Sequence, residues 1–200
     1  NATTTGTDSV AVGTSALAAQ TTGGDNVAIG HLAMSTLTTA GNNVAVGDRA
    51  MQASTSGENN VAVGTLAMDA NTTGGSNVGV GRDALGANTT GSNSTAVGKA
   101  ALHTTTTQSN NTAVGFQSLY TLNGGADNTA MGHNSLFNAT TADNNVAIGK
   151  SAMENVTSGS ANTAIGNEAL DANTTADNNV AIGSGCLGSN TTGTSNTSVG

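Results

Sequence analysis

The residues of this chain best suited to metal chemistry are its three histidines and the aspartates of its loops. Histidine binds zinc together with further histidines, cysteines or carboxylates at ligand spacing, and no such partner accompanies the three histidines here, which we interpret as surface residues. Loop aspartates are typical of calcium-binding repeats, but those repeats have another period and most segments of this chain lack the acid. We therefore predict no metal, no cofactor and no catalytic residue. The residues considered are His31, His103, His133, Asp25, Asp127, Asp143 and Asp177.

An enzyme would need a unique arrangement of reactive groups, and none stands out in this sequence. No Ser-His-Asp order, glycine-rich phosphate loop or pair of carboxylates occurs in a meaningful context. The single cysteine, Cys186, cannot form an intrachain disulfide, and it stands where comparable segments have Ala or Ser. We interpret it as a small buried residue rather than a reactive thiol. The sequence predicts that the protein is not an enzyme.

Several Asn-X-Ser/Thr triplets have the pattern of glycan acceptors. A chain this rich in Asn and Thr produces such triplets by composition alone, and this is the interpretation that we favour. Glycans on these asparagines or on the paired threonines stay an alternative. The acceptor positions are Asn1, Asn71, Asn88, Asn93, Asn110, Asn138, Asn155, Asn173, Asn190 and Asn196.

Charge and composition exclude several classes of partner. Four Lys and Arg against twelve Asp and Glu give a formal net charge of −8, and no run of basic residues occurs. This argues against binding to nucleic acid or to an anionic membrane surface. No apolar run approaches the length of a membrane span, and no signal peptide is visible. Aromatic residues make up 2% of the chain, so a globular core would be hard to stabilise.

One phrase organises the whole chain: Asn-Asn-Val-Ala-Val-Gly at Asn42–Gly47 returns every 17 residues without insertion or deletion. We call each 17-residue repeat a coil, and each set of equivalent residues a column. Residues 1–200 are thus a single continuous array of about twelve coils. The array starts within a coil and has no atypical terminal unit, so we expect it to be part of a longer fibre. The closing glycines are Gly13, Gly30, Gly47, Gly64, Gly81, Gly98, Gly115, Gly132, Gly149, Gly166, Gly183 and Gly200.

The three residues before each glycine predict a short strand. Val44 and Val46 are β-branched and share one face of that strand, while Ala45 lies on the other. No coil has a residue larger than Ala or Ser in the Ala45 column. We expect the β-branched residues to face the core of their own coil and the alanine column to press against another copy of the chain. This interpretation predicts a homo-oligomer whose subunits lie side by side.

The other columns of the coil predict turns and core residues. The Asn43 column contains only Asn and Ser, which predicts hydrogen bonds to the coils above and below or a local turn. The unbroken glycine column requires a positive φ or a close backbone approach. After the glycine, an Ala-Leu or Ala-Met pair such as Ala50-Met51 should place its large side chain in the core, as a second strand or as one helical turn. The Thr-Thr-Gly corner at Thr72–Gly74 is turn chemistry.

One coil cannot fold alone. It supplies about three sizeable apolar side chains, each contributing roughly 1.5 to 3 kcal/mol when buried, against an ordering cost of about 1 kcal/mol or more per residue. Coils therefore need neighbours, and an advance of about 4.8 Å per coil gives a rod on the order of 55 Å long. The sequence predicts an all-β fold, a parallel β-solenoid with 17-residue coils.

The repeated phrase, seen again at Asn144–Gly149 and Asn178–Gly183, resembles the repeat in the head domains of trimeric autotransporter adhesins, the YadA-like family. It is also similar to repeat arrays of phage tail fibres and other bacterial surface fibres. The resemblance covers every coil, although those heads have a shorter repeat and the added residues here fall in the Thr-Thr-Gly corner. It implies a left-handed parallel β-roll assembled as a parallel trimer. It also implies an extracellular, cell-surface or virion location and a receptor on a host surface, in matrix or on a glycan.

The function predicted from these observations is a structural extracellular fibre or adhesin that mediates surface attachment through a repetitive trimeric rod. A purely architectural filament or sheath protein without a receptor is one alternative. Another is a solenoid that binds ice or a small ligand through stacked threonines such as Thr72, Thr89 and Thr106. The two threonines of each pair would point to opposite faces, which weighs against ice binding.

Overall fold

The computed structural model describes residues 7–200, in which twelve parallel strands form one sheet in chain order. Each coil contributes one three-residue strand, paired with the next coil in a register of one full repeat, as in Val27 with Val44. No helix occurs in this described range. The predicted all-β parallel solenoid with 17-residue coils is confirmed. The strands are β1 Val10–Val12, β2 Val27–Ile29, β3 Val44–Val46, β4 Val61–Val63, β5 Val78–Val80, β6 Thr95–Val97, β7 Thr112–Val114, β8 Thr129–Met131, β9 Val146–Ile148, β10 Thr163–Ile165, β11 Val180–Ile182 and β12 Thr197–Val199.

Backbone hydrogen bonds join each coil to both of its neighbours. The N–H of Val61 donates to the carbonyl of Asn77 in the following coil (2.9 Å), and the N–H of Gly64 donates to Val46 in the preceding coil (2.8 Å). Buried peptide groups must find partners, and most of the partners here lie one coil away, while the rest are turn bonds three residues apart, such as that from Ala50 to Gly47. Eleven steps of about 4.8 Å give a rod roughly 53 Å long.

The face of each strand that points into the core is the opposite of the one that we predicted. Ala28, Ala45 and Ala62 are fully buried in the chain's own core. Of the residues that flank Ala28, Val27 is half-buried and Ile29 is exposed. The predicted inward orientation of the β-branched residues is therefore wrong. So is the placement of the alanine column against another copy of the chain.

The reason for this orientation is the thinness of the coil. The interior opposite the alanine column is filled by a column of buried Leu and Met side chains, as predicted for those residues. Little space remains beside these side chains: a Cβ atom at Gly79 would lie 2.9 Å from Cγ and 3.2 Å from Sδ of Met68. A valine or isoleucine pointing inward would not fit, since overpacking a close-packed core costs about 1 to 3 kcal/mol. The buried Leu and Met residues are Leu17, Met34, Met51, Met68, Leu85, Leu102, Leu119, Leu136, Met153 and Leu170.

The segment that carries these large side chains is neither a second strand nor a helical turn. In it, alternate residues adopt a positive φ, as in Leu32 (57°) and Met34 (48°). Such left-handed backbone costs roughly 1–2 kcal/mol per L-residue. It persists because the neighbouring coils hold it: the N–H of Met34 donates to Ala50 (3.0 Å) and that of Leu32 to Thr14 (2.9 Å).

The asparagine column forms a buried hydrogen-bonded ladder through the rod. Asn60 donates its backbone N–H to Oδ1 of Asn43 (2.9 Å) and its Nδ2 to the carbonyl of Gly74 (2.9 Å). The predicted bonding to the coils above and below is confirmed. Ser9 and Ser94 replace asparagine in the ladder's described part, and their Oγ atoms accept from the N–H groups of Asn26 and Asn111 at a longer 3.3 Å.

The corner at Leu122–Gly125 departs from the Thr-Thr-Gly pattern and contains the only Asn-Gly pair of the sequence. Asn123 and Gly124 are exposed. In the described part of the chain no hydrogen bond reaches the Gly124 N–H, whereas the equivalent N–H of Thr90 donates to the carbonyl of Thr106 (3.2 Å). An unhindered, unbonded nitrogen next to an exposed asparagine favours attack on the side-chain amide.

We expect Asn123 to deamidate faster than any other asparagine. The Gly124 nitrogen bonds to Cγ of Asn123, ammonia leaves, and water opens the resulting succinimide to aspartate or isoaspartate. Peptide mapping after incubation at mildly alkaline pH would measure this change. Asn123→Thr restores the usual corner residue and should remove the product, whereas equally fast deamidation of the buried Asn60 would contradict the prediction.

Candidate interaction surfaces on the rod

Residues 7–200 contain no group of three His, Cys, Asp or Glu side chains placed to hold a metal ion, and they enclose no pocket. Cys186 is buried, as predicted, and its thiol lies 2.8 Å from the carbonyl of Gly200. What the rod offers instead is long exposed columns of side chains.

The first surface is an apolar stripe on the outward face of the sheet, which we call the outer stripe. It consists of the two columns that flank the buried alanines, exemplified by Val27 and Ile29. Every residue in both columns is Val, Ile, Met or Thr, so the stripe carries no charge from end to end. Ile29 (39% exposed), Met131 (39%) and Ile182 (38%) lie open to solvent although they are large and apolar.

The outer stripe contains nearly all the large hydrophobic residues that are exposed in the described chain. Of the eleven large hydrophobic residues that are exposed, all but Phe116 belong to it. A strand face about 10 Å wide and roughly 53 Å long covers on the order of 500 Å². Continuous apolar patches of that size mark interaction surfaces in soluble proteins.

The second surface is a column of cations and rings, which we call the basic column: Lys99, Phe116, His133 and Lys150 in four successive coils. All four side chains are exposed. The Lys99 ammonium lies 5.6 Å from the centroid of the Phe116 ring, and the Phe116 and His133 rings stack with centroids 5.2 Å apart and planes 20° apart. The Phe116 ring is therefore covered on both faces, by Lys99 and by His133.

Arg82 precedes the basic column by one coil but is not available in the same way. Its Nε donates to Oδ2 of Asp83 at 3.1 Å, so this cation already has a carboxylate partner. In residues 7–200 no carboxylate pairs with Lys99 or Lys150, so the two lysines of the basic column keep their positive charge uncompensated. The basic column is thus a local positive feature on an acidic rod.

A second ladder of rings occupies the same coils, four residues further along each. His103, Tyr120 and Phe137 stack with centroids 5.3 and 5.2 Å apart. Nδ1 of His103 donates to the carbonyl of Asp83 (3.2 Å), and the ring lies over Gly86, where a Cβ atom would meet Nδ1 at 3.1 Å. Asp69 lies in the same column, two coils before His103. Burial raises the pKa of its carboxyl, because desolvation outweighs the backbone hydrogen bonds that it accepts.

Of the three histidines that we interpreted as surface residues, His31 and His133 are exposed and His103 is half-buried. His31 is exposed and pairs with Asp48 (Nδ1 to Oδ1, 2.8 Å). His103 and His133 are members of stacked ladders. Reading the sequence by column could have found both ladders, because residues 17 apart stack in this fold. We considered only runs of basic residues along the chain, and the basic column was missed for that reason.

The glycan triplets divide according to burial. Asn71, Asn88 and Asn173 are buried, and each donates its side-chain amide to a backbone carbonyl three residues on, so they cannot accept a glycan in the folded chain. Asn190 makes the same bond to Gly193 (2.8 Å) while half-buried. Asn138 is half-buried, and Asn1 lies outside the described residues. The exposed positions are Asn93, Asn110, Asn155 and Asn196.

No family model, curated protein or solved structure matches this chain. The structure has no helix in residues 7–200, and hence none long and apolar enough to cross a membrane.

Proposed function

We propose that this chain is a structural rod rather than an enzyme, and that it acts outside the cell as a fibre or adhesin. Its copies associate side by side as a parallel trimer through the outer stripe, and the resulting assembly mediates attachment to a surface. The observation that carries this proposal is the exposure of Val, Ile and Met along the whole outward face of the sheet. The cell-surface or virion location and the number three come from the resemblance of the repeated phrase.

The best occupant of the outer stripe is another copy of the same chain. Its side chains recur at the coil spacing of about 4.8 Å, and a partner that interdigitates with them over the full length needs the same spacing. A sister rod has that spacing in every coil. The stripe also carries no charge, so two copies can meet there without desolvating an ion.

The trimer that we propose differs in its contact surface from the oligomer that the sequence predicted. Each rod has one outer stripe, and three such stripes can converge on a common axis. The alanine column has no part in the contact because it is buried within each chain. Closed symmetric assembly of this kind removes the apolar stripe from water and adds the burial that a thin coil lacks.

Placing two charges on the outer stripe should dissociate the trimer. In the double variant Ile148→Lys and Ile165→Lys, association would bury two unpaired ammonium groups per chain, at a cost of several kcal/mol. We expect sedimentation equilibrium to give three chain masses for the wild type and one chain mass, 19.2 kDa, for the variant. Circular dichroism should report an intact solenoid in both.

The matched control adds the same charge on another side of the coil. Thr141→Lys with Ser158→Lys alters two exposed corner residues and should leave the trimer intact. A monomeric wild type would overturn the proposed assembly, and so would an Ile148→Lys, Ile165→Lys variant that stays trimeric.

The threonine corner supports attachment or architecture better than ice binding. The Thr72 hydroxyl donates to the carbonyl of Thr89 (2.9 Å), and the Thr89 hydroxyl to that of Thr106 (2.9 Å). These hydroxyls are engaged in holding coils together at a bend. They do not form the free, flat lattice of hydroxyls that recognition of an ordered water surface requires.

A further inference from the structure

The residues with binding chemistry are concentrated in one part of the rod. All Phe, Tyr, His and Lys residues of the chain except His31 lie between Lys99 and Lys150. The remaining exposed turns consist mainly of Thr, Ser, Asn, Gly and Ala. Stacking of the coils does not require these residues, because the other coils stack without them. This part of the rod therefore differs from the rest in chemistry and not in fold.

We propose that the basic column, Lys99, Phe116, His133 and Lys150, binds an acidic polysaccharide that lies along the rod. This inference deepens the attachment role proposed above by naming the class of receptor. The ligand is an extended chain of sugars with carboxylate groups at intervals, and its carboxylates pair with the two ammonium groups.

The geometry of the rings selects an anion. The face of Phe116 is covered by Lys99 on one side and by His133 on the other, with separations of 5.6 and 5.2 Å. Aromatic rings are electronegative on their faces and electropositive on their edges. Because both faces of Phe116 are covered, this ring turns its edge to solvent and adds to the positive potential of the two lysines.

No ion pair joins an acid to Lys99 or Lys150 in the described residues. Asp83 is paired with Arg82, and Asp127 and Asp143 lie in the corner before the strands. Glu154 lies 3.5 Å from the Asn134 amide. None of these carboxylates stands within the basic column, where four consecutive members are Lys, Phe, His and Lys.

The spacing of the charges separates a polysaccharide from a nucleic acid. Lys99 and Lys150 are three coils apart, or about 14 Å along the axis. Duplex DNA carries one negative charge per about 1.7 Å and is bound by many cations at once. Two lysines on a chain of net charge −8 match a polymer whose carboxylates are far apart, such as one per disaccharide.

The test uses the full chain at low salt with hyaluronate oligosaccharides as the probe and isothermal calorimetry as the readout. We expect measurable binding, weakened at least fivefold in Lys99→Gln with Lys150→Gln. The matched control, Arg49→Gln, removes an exposed cation outside the basic column and should change affinity less than twofold. Neutral dextran should not bind.

Three results would overturn the inference: no binding of hyaluronate by the wild type, equal weakening in Arg49→Gln, or tighter binding of a single-stranded oligonucleotide of similar length. The mass of the assembly is measured on the same samples. A trimer that does not bind overturns this inference alone, whereas a monomer that binds overturns the proposed assembly and leaves the basic column's role standing.

Discussion

Replacing Gly98 by alanine lowers the free energy of unfolding by about 4 kcal/mol. Gly98 has a φ of 137°, and a Cβ atom there would lie 2.6 Å from the carbonyl carbon of Gly115 in the next coil. A disallowed backbone conformation costs on the order of 1–3 kcal/mol, and overpacking against a fixed neighbour costs about 1–3 kcal/mol more. The coil cannot move away, because the N–H of Gly98 is held by Val80 (2.7 Å).

A second glycine provides the control for backbone entropy. Gly185 has a φ of 68° and nothing within 4 Å of its Cβ position, and Ala100 already occupies the same column at a φ of 56°. Gly185→Ala should change stability by less than about 1 kcal/mol. Denaturant unfolding followed by circular dichroism measures both variants, and native-state hydrogen exchange locates the damage, since coils can open separately. Equal stabilities of the two variants would refute the close-approach explanation.

Replacing Asn145 by alanine costs about 3 kcal/mol or more. Asn145 donates Nδ2 to the carbonyl of Gly159 (2.9 Å), and its Oδ1 accepts from the N–H of Asn162 (2.9 Å). Truncation leaves both of these buried groups without partners, at about 1 to 3 kcal/mol each. The exchange of amide protons should accelerate most at Asn162, which loses its acceptor.

The adjacent asparagine is the matched control for this substitution. Asn144 is exposed, with a φ of 58°, and Ala161 stands in the same column at 56°. Asn144→Ala removes the same side chain and should shift the denaturation midpoint only slightly. If Asn145→Ala proved as mild as Asn144→Ala, the ladder would be incidental to stability.

Periodicity predicted the strands well because every coil repeats the same constraint. The strand at Val44–Val46, the ladder at Asn43 and the positive-φ glycine at Gly47 all follow from residue types that recur in nearly every coil. Each of these features depends on one residue and its equivalent in the next coil. Such local relations are visible in an aligned repeat.

The recurrence of alanine alone did not determine which face of the strand points into the core. A column restricted to alanine fits a thin core as well as it fits a tight contact between chains, and we chose the second. Two signals favoured the first: Met34 and its equivalents already fill the interior, and Thr95, Thr112 and Thr129 stand in the column that we placed there. A hydroxyl is easily accommodated on an outward face.

The turn after each glycine was beyond sequence reasoning for a different reason. Leu and Met have high helix propensity and seldom adopt a positive φ, yet Leu85 (51°) and Met153 (53°) do so. Tertiary hydrogen bonds from the neighbouring coils override the local preference. Only the assembled stack supplies those bonds, so no single coil reveals them.

The asparagine ladder gives the rod a direction. Each side-chain Oδ1 accepts from the coil that follows it, as Asn128 accepts from Asn145 and Asn145 from Asn162 (3.0 and 2.9 Å). The amide dipoles are therefore aligned and polarise one another along the axis. A finished coil presents an oriented side-chain acceptor to its successor, so the stack can act as a template for the coil that follows it along the chain.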